Sequence, residues 1–425
     1  MILIKKETYQ FLKNVITLFT GTSIAQLISI VTLIILQRYF YSPEEYAPFR
    51  LFFEFSAVFS GICALRLESG LILERDDNSS LSLLRTCIKF CIYISIIGGV
   101  IFTIYYYSEI KVFNFEWILL AIMPLSIFGN GIIQISQSFF TRSKQFIIIS
   151  SSKVIQSISG AGIQLLTGFM GFNFTGLIIG RMAGLLSADF NYLRSFFKSY
   201  RWPIRNRKEE KRLIQKHRRF IWFTSPGVFV GNSINLIILI LFTHFYGEQF
   251  TGLTAAAIQY LGLICLLFST SFSQVYYNEI AQIEDPKKII SSYSYWIKRL
   301  GILTVLGWLI LFFTPSSFIT YILGEKWSNL LYIIKLISPW IGIMFMASSL
   351  SYIFIRLGKQ KEIFLFDVFH LILITSALYI GHHLFNDKFS TLKVITIVQS
   401  VFYILSICLA YLFMIKNTKI KDNIN

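Results

Sequence analysis

Between residues 15 and 415 the chain is one apolar run after another, each about as long as a helix needs to cross a bilayer. About 20 apolar residues suffice, because a helix rises about 1.5 Å per residue and the hydrocarbon layer is about 30 Å thick. Twelve runs meet that length: 15–36, 49–67, 86–107, 117–140, 147–168, 174–193, 220–242, 251–276, 300–319, 331–354, 363–384 and 394–415. They are long and continuous rather than ten-residue alternations, so helices are expected and a barrel is not. The fold class that follows is an all-α polytopic membrane protein. Composition agrees where it discriminates: charged residues make up 14% of the chain, against about 25% in soluble domains. The opening MILIKKETYQ places its charges after the first apolar residues, and no small-residue cleavage site follows, so an uncleaved first span is expected.

Charge placement orients the spans. The chain holds 39 Lys and Arg against 22 Asp and Glu, a net charge of +17. With the N-terminus in the cytoplasm, the external loops receive only Arg38, Arg50, Lys111, Lys326, Lys388 and Lys393. The positive-inside rule therefore puts both termini in the cytoplasm. The stretch RWPIRNRKEEKRLIQKHRRF (201–220) alone would resemble a nucleic-acid arm. Between the sixth and seventh spans it reads instead as a cytoplasmic linker, with anionic phospholipid as its partner and no nucleic acid. Its apolar Trp202, Leu213, Ile214 and Phe220 suggest that it lies on the membrane surface. The expected organisation is an N-terminal lobe over 1–200, a basic linker over 201–219 and a C-terminal lobe over 220–425. A faint repeat supports two lobes: IILQRYFYSPEEYAPF (34–49) and LILFTHFYGEQFTGL (239–253) both end an outward-going helix in Phe-Tyr, a turn residue and an acid.

Several segments carry a resemblance. NVITLFTGTSIAQLISI (14–30), YSPEEYAPF (41–49) and LRLESGLIL (65–73) resemble the start of the lipid-linked oligosaccharide flippases, which lie within the multidrug/oligosaccharidyl-lipid/polysaccharide exporter superfamily. The likeness continues through QSFFTRSKQF (137–146), KVIQS (153–157), GLIIGRMAG (176–184), FIWFTSPGVFVGNSINLIIL (220–239), FSQVYYNEIAQI (272–283), ILGEKW (322–327) and ISPWIGIMF (337–345). The chain departs from the family at Ala47-Pro48, where a glycine is usual, and at Ser69-Gly70, where Ala-Ile is usual. The resemblance implies two six-helix lobes around a central cavity that opens to alternate sides. It implies a flippase that moves undecaprenyl-diphosphate-linked repeat units, O-antigen or a similar surface polysaccharide, across a bacterial cytoplasmic membrane. A polysaccharide polymerase and a chain-length regulator are the further partners it implies.

Ionisable groups within spans are costly and mark candidate sites. Arg66 and Glu68 form either an inner gate that receives a diphosphate or a salt bridge at the membrane lip. Lys153 sits among Ser150, Ser151, Ser152, Gln156 and Ser157, a polar face suited to a cavity, with snorkelling as the competing reading. Arg181 lies in GLIIGRMAG, where Gly176, Gly180 and Gly184 recur every fourth residue as a helix-packing motif. Asn14, Gln26, Asn232 and Asn235 are placed to bond sugars or neighbouring helices. Of the acids inside spans, Glu54 and Asp367 are the candidates for H⁺ or Na⁺ coupling, or else partners for internal cations; Asp189 is the third. Pro226 removes a backbone bond early in span seven and marks either a hinge between access states or a static kink. Lys335 is expected to snorkel outward.

No phosphate-binding loop is present, and His217, His244, His370, His382 and His383 lack metalloprotease spacing, so no enzyme, metal or cofactor is expected. Cys63, Cys87, Cys91, Cys265 and Cys408 are odd in number and lie in or beside apolar segments, as buried small hydrophobes would. A cation-extruding multidrug antiporter would favour acids over bases in its cavity. A membrane polysaccharide polymerase would need a sizeable external loop, and the expected external loops are short.

Overall fold

The computed structural model describes residues 2–74, 76–108, 111–113, 115–202, 206–283 and 285–422, and among them every regular element is a helix. The first, α1 (Ile2–Tyr39), gives way to α2 (Pro43–Ser60) through a capping box. Ser42 Oγ accepts from the Glu45 amide, the Glu45 carboxylate accepts from the Ser42 amide at 3.0 Å, and Pro43 sits where no amide is needed. Next come α3 (Glu68–Leu71), α4 (Asp77–Tyr107), α5 (Ile118–Arg142), α6 (Phe146–Phe169), α7 (Phe174–Ser199) and α8 (Arg207–Lys216). Asp76, Asn173 and Asn206 cap α4, α7 and α8 with side-chain oxygens. A π-helical turn, Phe220–Thr224, leads into α9 (Ser225–Gln282). The remainder comprises α10 (Pro286–Phe313), α11 (Ser316–Leu323), α12 (Leu330–Ser349), α13 (Tyr352–Arg356), α14 (Gln360–Phe385) and α15 (Lys388–Asp422).

Nine stretches of the described residues are long and apolar enough to cross a membrane. One of them, Phe220–Cys265, runs across Gly247, where φ 81° and ψ 175° break α9 into two helices. That conformation is essentially reserved for glycine. The expected spans at 49–67 and 174–193 fall on α2 and α7, whose apolarity is lowered by Glu44, Glu45, Arg50 and Glu54 in one and by Arg181 and Asp189 in the other. The whole is consistent with twelve spans in an all-α polytopic membrane protein.

The chain divides into two compact units, Met1–Leu236 and Ile237–Asn425. In the first, α6 packs on both α1 and α7, and α4 on α5. Glycines set the closeness of α6 and α7: a Cβ on Gly180 would meet the Gln164 backbone at 2.7 Å, and one on Gly184 the Gln156 carbonyl at 2.6 Å. The packing role expected of that motif is thus realised. Helix α2 is buried at nearly every position, which is why it can carry charge without presenting it to lipid. In the second unit, Tyr276, Ile280, Tyr293, Leu300, Ile353 and Met414 form a core joining the end of α9 to α10, α13 and α15. The cysteines are free thiols; Cys63, Cys87 and Cys91 are buried as expected, Cys265 is half-buried and Cys408 is exposed. Cys408 shares α15 with exposed Val401, Ile404, Leu405 and Leu412, so its apolar surroundings are those of a lipid-facing surface.

Candidate binding site in the first unit

One turn of α2 and one residue of α7 build an ionised interior. Arg50 and Glu54, one turn apart and both buried, form a close ion pair. Arg50 lies 5.2 Å from the Phe53 ring centroid, and Arg181 of α7 lies 5.1 Å from the same centroid. Arg181 is half-buried, its Nε has no hydrogen-bond partner, and no carboxylate pairs with it among the described residues. The group therefore carries one net positive charge. The external loop expected for Arg50 is corrected: the residue lies about two turns beyond the cap at Ser42 and is inside the helix. Glu54, weighed as a coupling acid or as the partner of an internal cation, takes the second role. Arg50 is the residue that sequence reasoning missed, although its spacing of four from Glu54 is the signal for a helical pair.

Both Arg50 and Arg181 sit seven residues, about 10 Å, into helices that start at the end of the unit opposite α8. Closer to the α8 end, Lys153 of α6 donates to Thr22 Oγ1 of α1 at 3.0 Å. Ser29 and Ser157 approach at 3.4 Å across the same pair of helices, and Asn191 of α7 donates to Ser152 at 2.8 Å. Lys153 thus belongs to a polar seam rather than snorkelling away from it. Gln26, half-buried on α1, leaves Oε1 without a partner. The side chain of Asn14 lies outside the described residues.

At the α8 end, Arg66 pairs with Glu68 at 3.3 Å. Leu65 and Arg66 both take the left-handed conformation, φ 51° and 60°, which costs a non-glycine residue about 1–2 kcal/mol. Of the four apolar residues that suggested a surface-lying linker, Leu213 is buried, Ile214 and Phe220 are half-buried and Trp202 is exposed. Glu210, Leu213 and His217, spaced for one helical face, are buried against the unit. Lys89 donates to Glu210 at 2.6 Å, Ser79 to Glu209 at 3.0 Å and Lys216 to Glu74 at 2.6 Å, while His217 Nε2 lies 2.7 Å from the same Glu74 oxygen. Burial raises the Glu74 carboxyl, but the hydrogen bonds from Lys216 and His217 outweigh it and hold the pKa below its ordinary value. Gly70 explains a departure from the family pattern: a Cβ there would meet the His217 ring at 3.0 Å. Arg205, within the linker, lies outside the described residues.

The other candidates are dispersed. Asn232 of α9 donates to the Ala57 carbonyl at 3.1 Å, an interhelical bond, and Asn235 is half-buried one turn on. Pro226 follows the π-helical turn directly, where a widened turn relieves the clash between its ring and the preceding carbonyl. Asp189 is buried, its Oδ1 has no partner, and it packs on Gly129 of α5. In the second unit Asp367 is half-buried one turn before His370, which is stacked on Phe402 and bonded to Gln399 at 2.7 Å. Lys335 does not snorkel freely; it donates to the carbonyls of Phe312 and Thr314 at the end of α10. His382 is stacked on Phe245, and no metal-binding group of His, Cys, Asp and Glu occurs among the described residues.

Residues 35–332 match a family model described as polysaccharide biosynthesis protein. No curated protein matches the chain in sequence. Among solved structures it is similar to a multidrug resistance MATE family transporter of the MOP superfamily in its inward-facing conformation, with TM-score 0.68 and 16% identity over 94% of this chain and 96% of that one. It is also similar to the lipid II flippase MurJ in an inward closed conformation, with TM-score 0.65 and 16% identity over 95% of this chain and 87% of that one. A MOP superfamily transporter from Pyrococcus furiosus, described as having a binding pocket of reverse polarity, follows at TM-score 0.62 and 12% identity over 95% of both chains. The likenesses establish the fold.

Proposed function

The chain belongs to the polysaccharide biosynthesis protein family, and we propose that it is a flippase carrying an undecaprenyl-diphosphate-linked oligosaccharide, an O-antigen or similar repeat unit, across the bacterial cytoplasmic membrane. The observation that carries this reading is Arg181, a guanidinium inside a helix that faces Phe53 and has no carboxylate partner among the described residues. Such a charge costs a few kcal/mol in a membrane unless something neutralises it. A diphosphate neutralises it, and the planar fork of donors matches phosphate oxygens. Arg50 supports Arg181 without competing for the ligand, because Glu54 already balances it. The seam of Thr22, Ser152, Lys153 and Asn191 offers donors and acceptors to sugar hydroxyls.

In this mechanism the lipid tail stays in the bilayer while the head group passes along the lobe, and the N-terminal and C-terminal lobes rock to exchange access. No covalent bond is made or broken, so the chain is a transporter rather than an enzyme. Coupling to H⁺ or Na⁺ falls to Asp189 and Asp367 rather than to Glu54. Both termini face the cytoplasm, and a polymerase with its chain-length regulator takes the delivered repeat unit. A cation antiporter is disfavoured because the group around Phe53 carries a net positive charge.

The test is reconstitution in proteoliposomes with a lipid-linked oligosaccharide and a sidedness assay. Transfer to the far leaflet that Arg181→Gln reduces at least tenfold, at equal protein content, supports the reading. Transfer no faster than in protein-free vesicles, or transport of organic cations instead, overturns it.

A further inference from the structure

The docking of α8 turns its acids toward the unit and leaves a face made of donors. Arg212, Gln215, Lys216, Arg218 and Arg219 surround a depression of about 580 Å³, a volume within the range of small-molecule sites. Arg212 shares its charge with Glu209 and Lys216 with Glu74. Arg218 and Arg219 are exposed and have no carboxylate partner among the described residues. The depression therefore contains donors and positive charge with no acidic side chain in its lining.

What lies next to it is apolar. Trp222 is 70% exposed and Phe223 40% exposed, four residues beyond Arg218 and Arg219 respectively, so each aromatic continues the face of an arginine. An exposed tryptophan beside a cationic cluster marks the level of lipid head groups. A ligand that satisfies both features carries more than one negative charge at its head and an apolar chain behind it. A phospholipid with one negative charge does not require four cations around one depression.

We propose that this face is a loading site for the diphosphate head of an isoprenoid lipid, held by Arg218 and Arg219 with Arg212 and Lys216 at the rim, its chain entering the bilayer beside Trp222 and Phe223. The choice of ligand rests on the flippase reading above; the site itself is distinct from the Arg181 cluster. Because α8 is clamped to α4 through Glu209 and Glu210 and to Glu74, between α3 and α4, through Lys216, the arginines are presented from a fixed support.

The experiment uses the full chain in nanodiscs of phosphatidylcholine, titrated calorimetrically with farnesyl diphosphate, farnesyl monophosphate and inorganic pyrophosphate. Farnesyl diphosphate is expected to bind at least tenfold more tightly than either comparison ligand. Arg218→Gln/Arg219→Gln is expected to weaken it at least tenfold with an unchanged melting temperature. Arg218→Lys/Arg219→Lys, which keeps the charge and loses the fork, is expected to fall between. Adding phosphatidylglycerol repels the diphosphate from wild type and variant alike, so the ratio of their affinities is expected to stay within about twofold. Equal affinity in the Gln variant, or a wild-type advantage over it that vanishes as phosphatidylglycerol is added, overturns the proposal and assigns the face to bulk anionic lipid. The two readings fail separately: intact farnesyl diphosphate binding with no leaflet transfer overturns the flippase and leaves the site. Transfer at the wild-type rate by a variant that no longer binds overturns the loading site and leaves the flippase.

Discussion

Arg50, Glu54 and Arg181 differ less in chemistry than in what stands beside them. Arg50 and Glu54 neutralise each other inside α2, so removing one leaves a buried charge alone. Orphaning a buried partner costs about 3–5 kcal/mol, whereas replacing both by apolar residues is often nearly neutral. Glu54→Gln is therefore expected to lower the melting temperature sharply, and Arg50→Leu/Glu54→Leu much less, in a thermal-shift measurement of purified protein. No carboxylate pairs with Arg181 among the described residues, so Arg181→Gln orphans no charge and is expected not to lower stability while abolishing most transport. A Glu54→Gln protein as stable as the wild type would remove the pairing argument. The sequence pointed to Arg181 and Glu54 because both interrupt apolar runs. It did not reveal Arg50, whose position near a loop looked peripheral until the capping box at Ser42 fixed where α2 begins.

At the scale of elements, the linker was legible as a basic, amphipathic segment, but not which surface its apolar face would meet. Leu213 is fully buried in protein, and Glu74, some 140 positions earlier in the chain, holds the end of the helix. The sign of the pH dependence follows from Glu74. Its pKa is depressed in the docked state, so it stabilises docking above its ordinary value of 4.5, and that contribution is lost as pH falls through the lower docked value. Hydrogen exchange of the α8 amides, corrected for intrinsic rate, is expected to be flat from pH 8 to 5 and to rise below about 4.5. Gly70→Ala pushes a methyl group toward the His217 ring and is expected to raise protease cleavage within 206–219 already at neutral pH. Unchanged cleavage would mean that the ring relaxes without loosening the linker.

For the whole molecule, orientation is the property most exposed to a direct check. The crowding of Lys and Arg into one set of loops predicts that a cysteine at Asn206 reacts with an impermeant maleimide only from the cytoplasm, and one at Asn386 only from outside. The reverse pattern would invert the proposed direction of transport. Local sequence determined that the chain is a helical, multi-pass membrane protein, because the cost of unpaired backbone in lipid is a property of each segment taken alone. It also determined the positions of most breaks, through Ser42-Pro43, Gly247 and Asp285-Pro286. Only the tertiary structure decided which charges cancel. Lys89 meets Glu210 across 121 positions and Lys153 meets Thr22 across 131. Electrostatic neutrality depends on distance in space, which helix packing sets and local sequence does not encode; Arg181 keeps its charge because that packing brings it an aromatic ring and, among the described residues, no carboxylate.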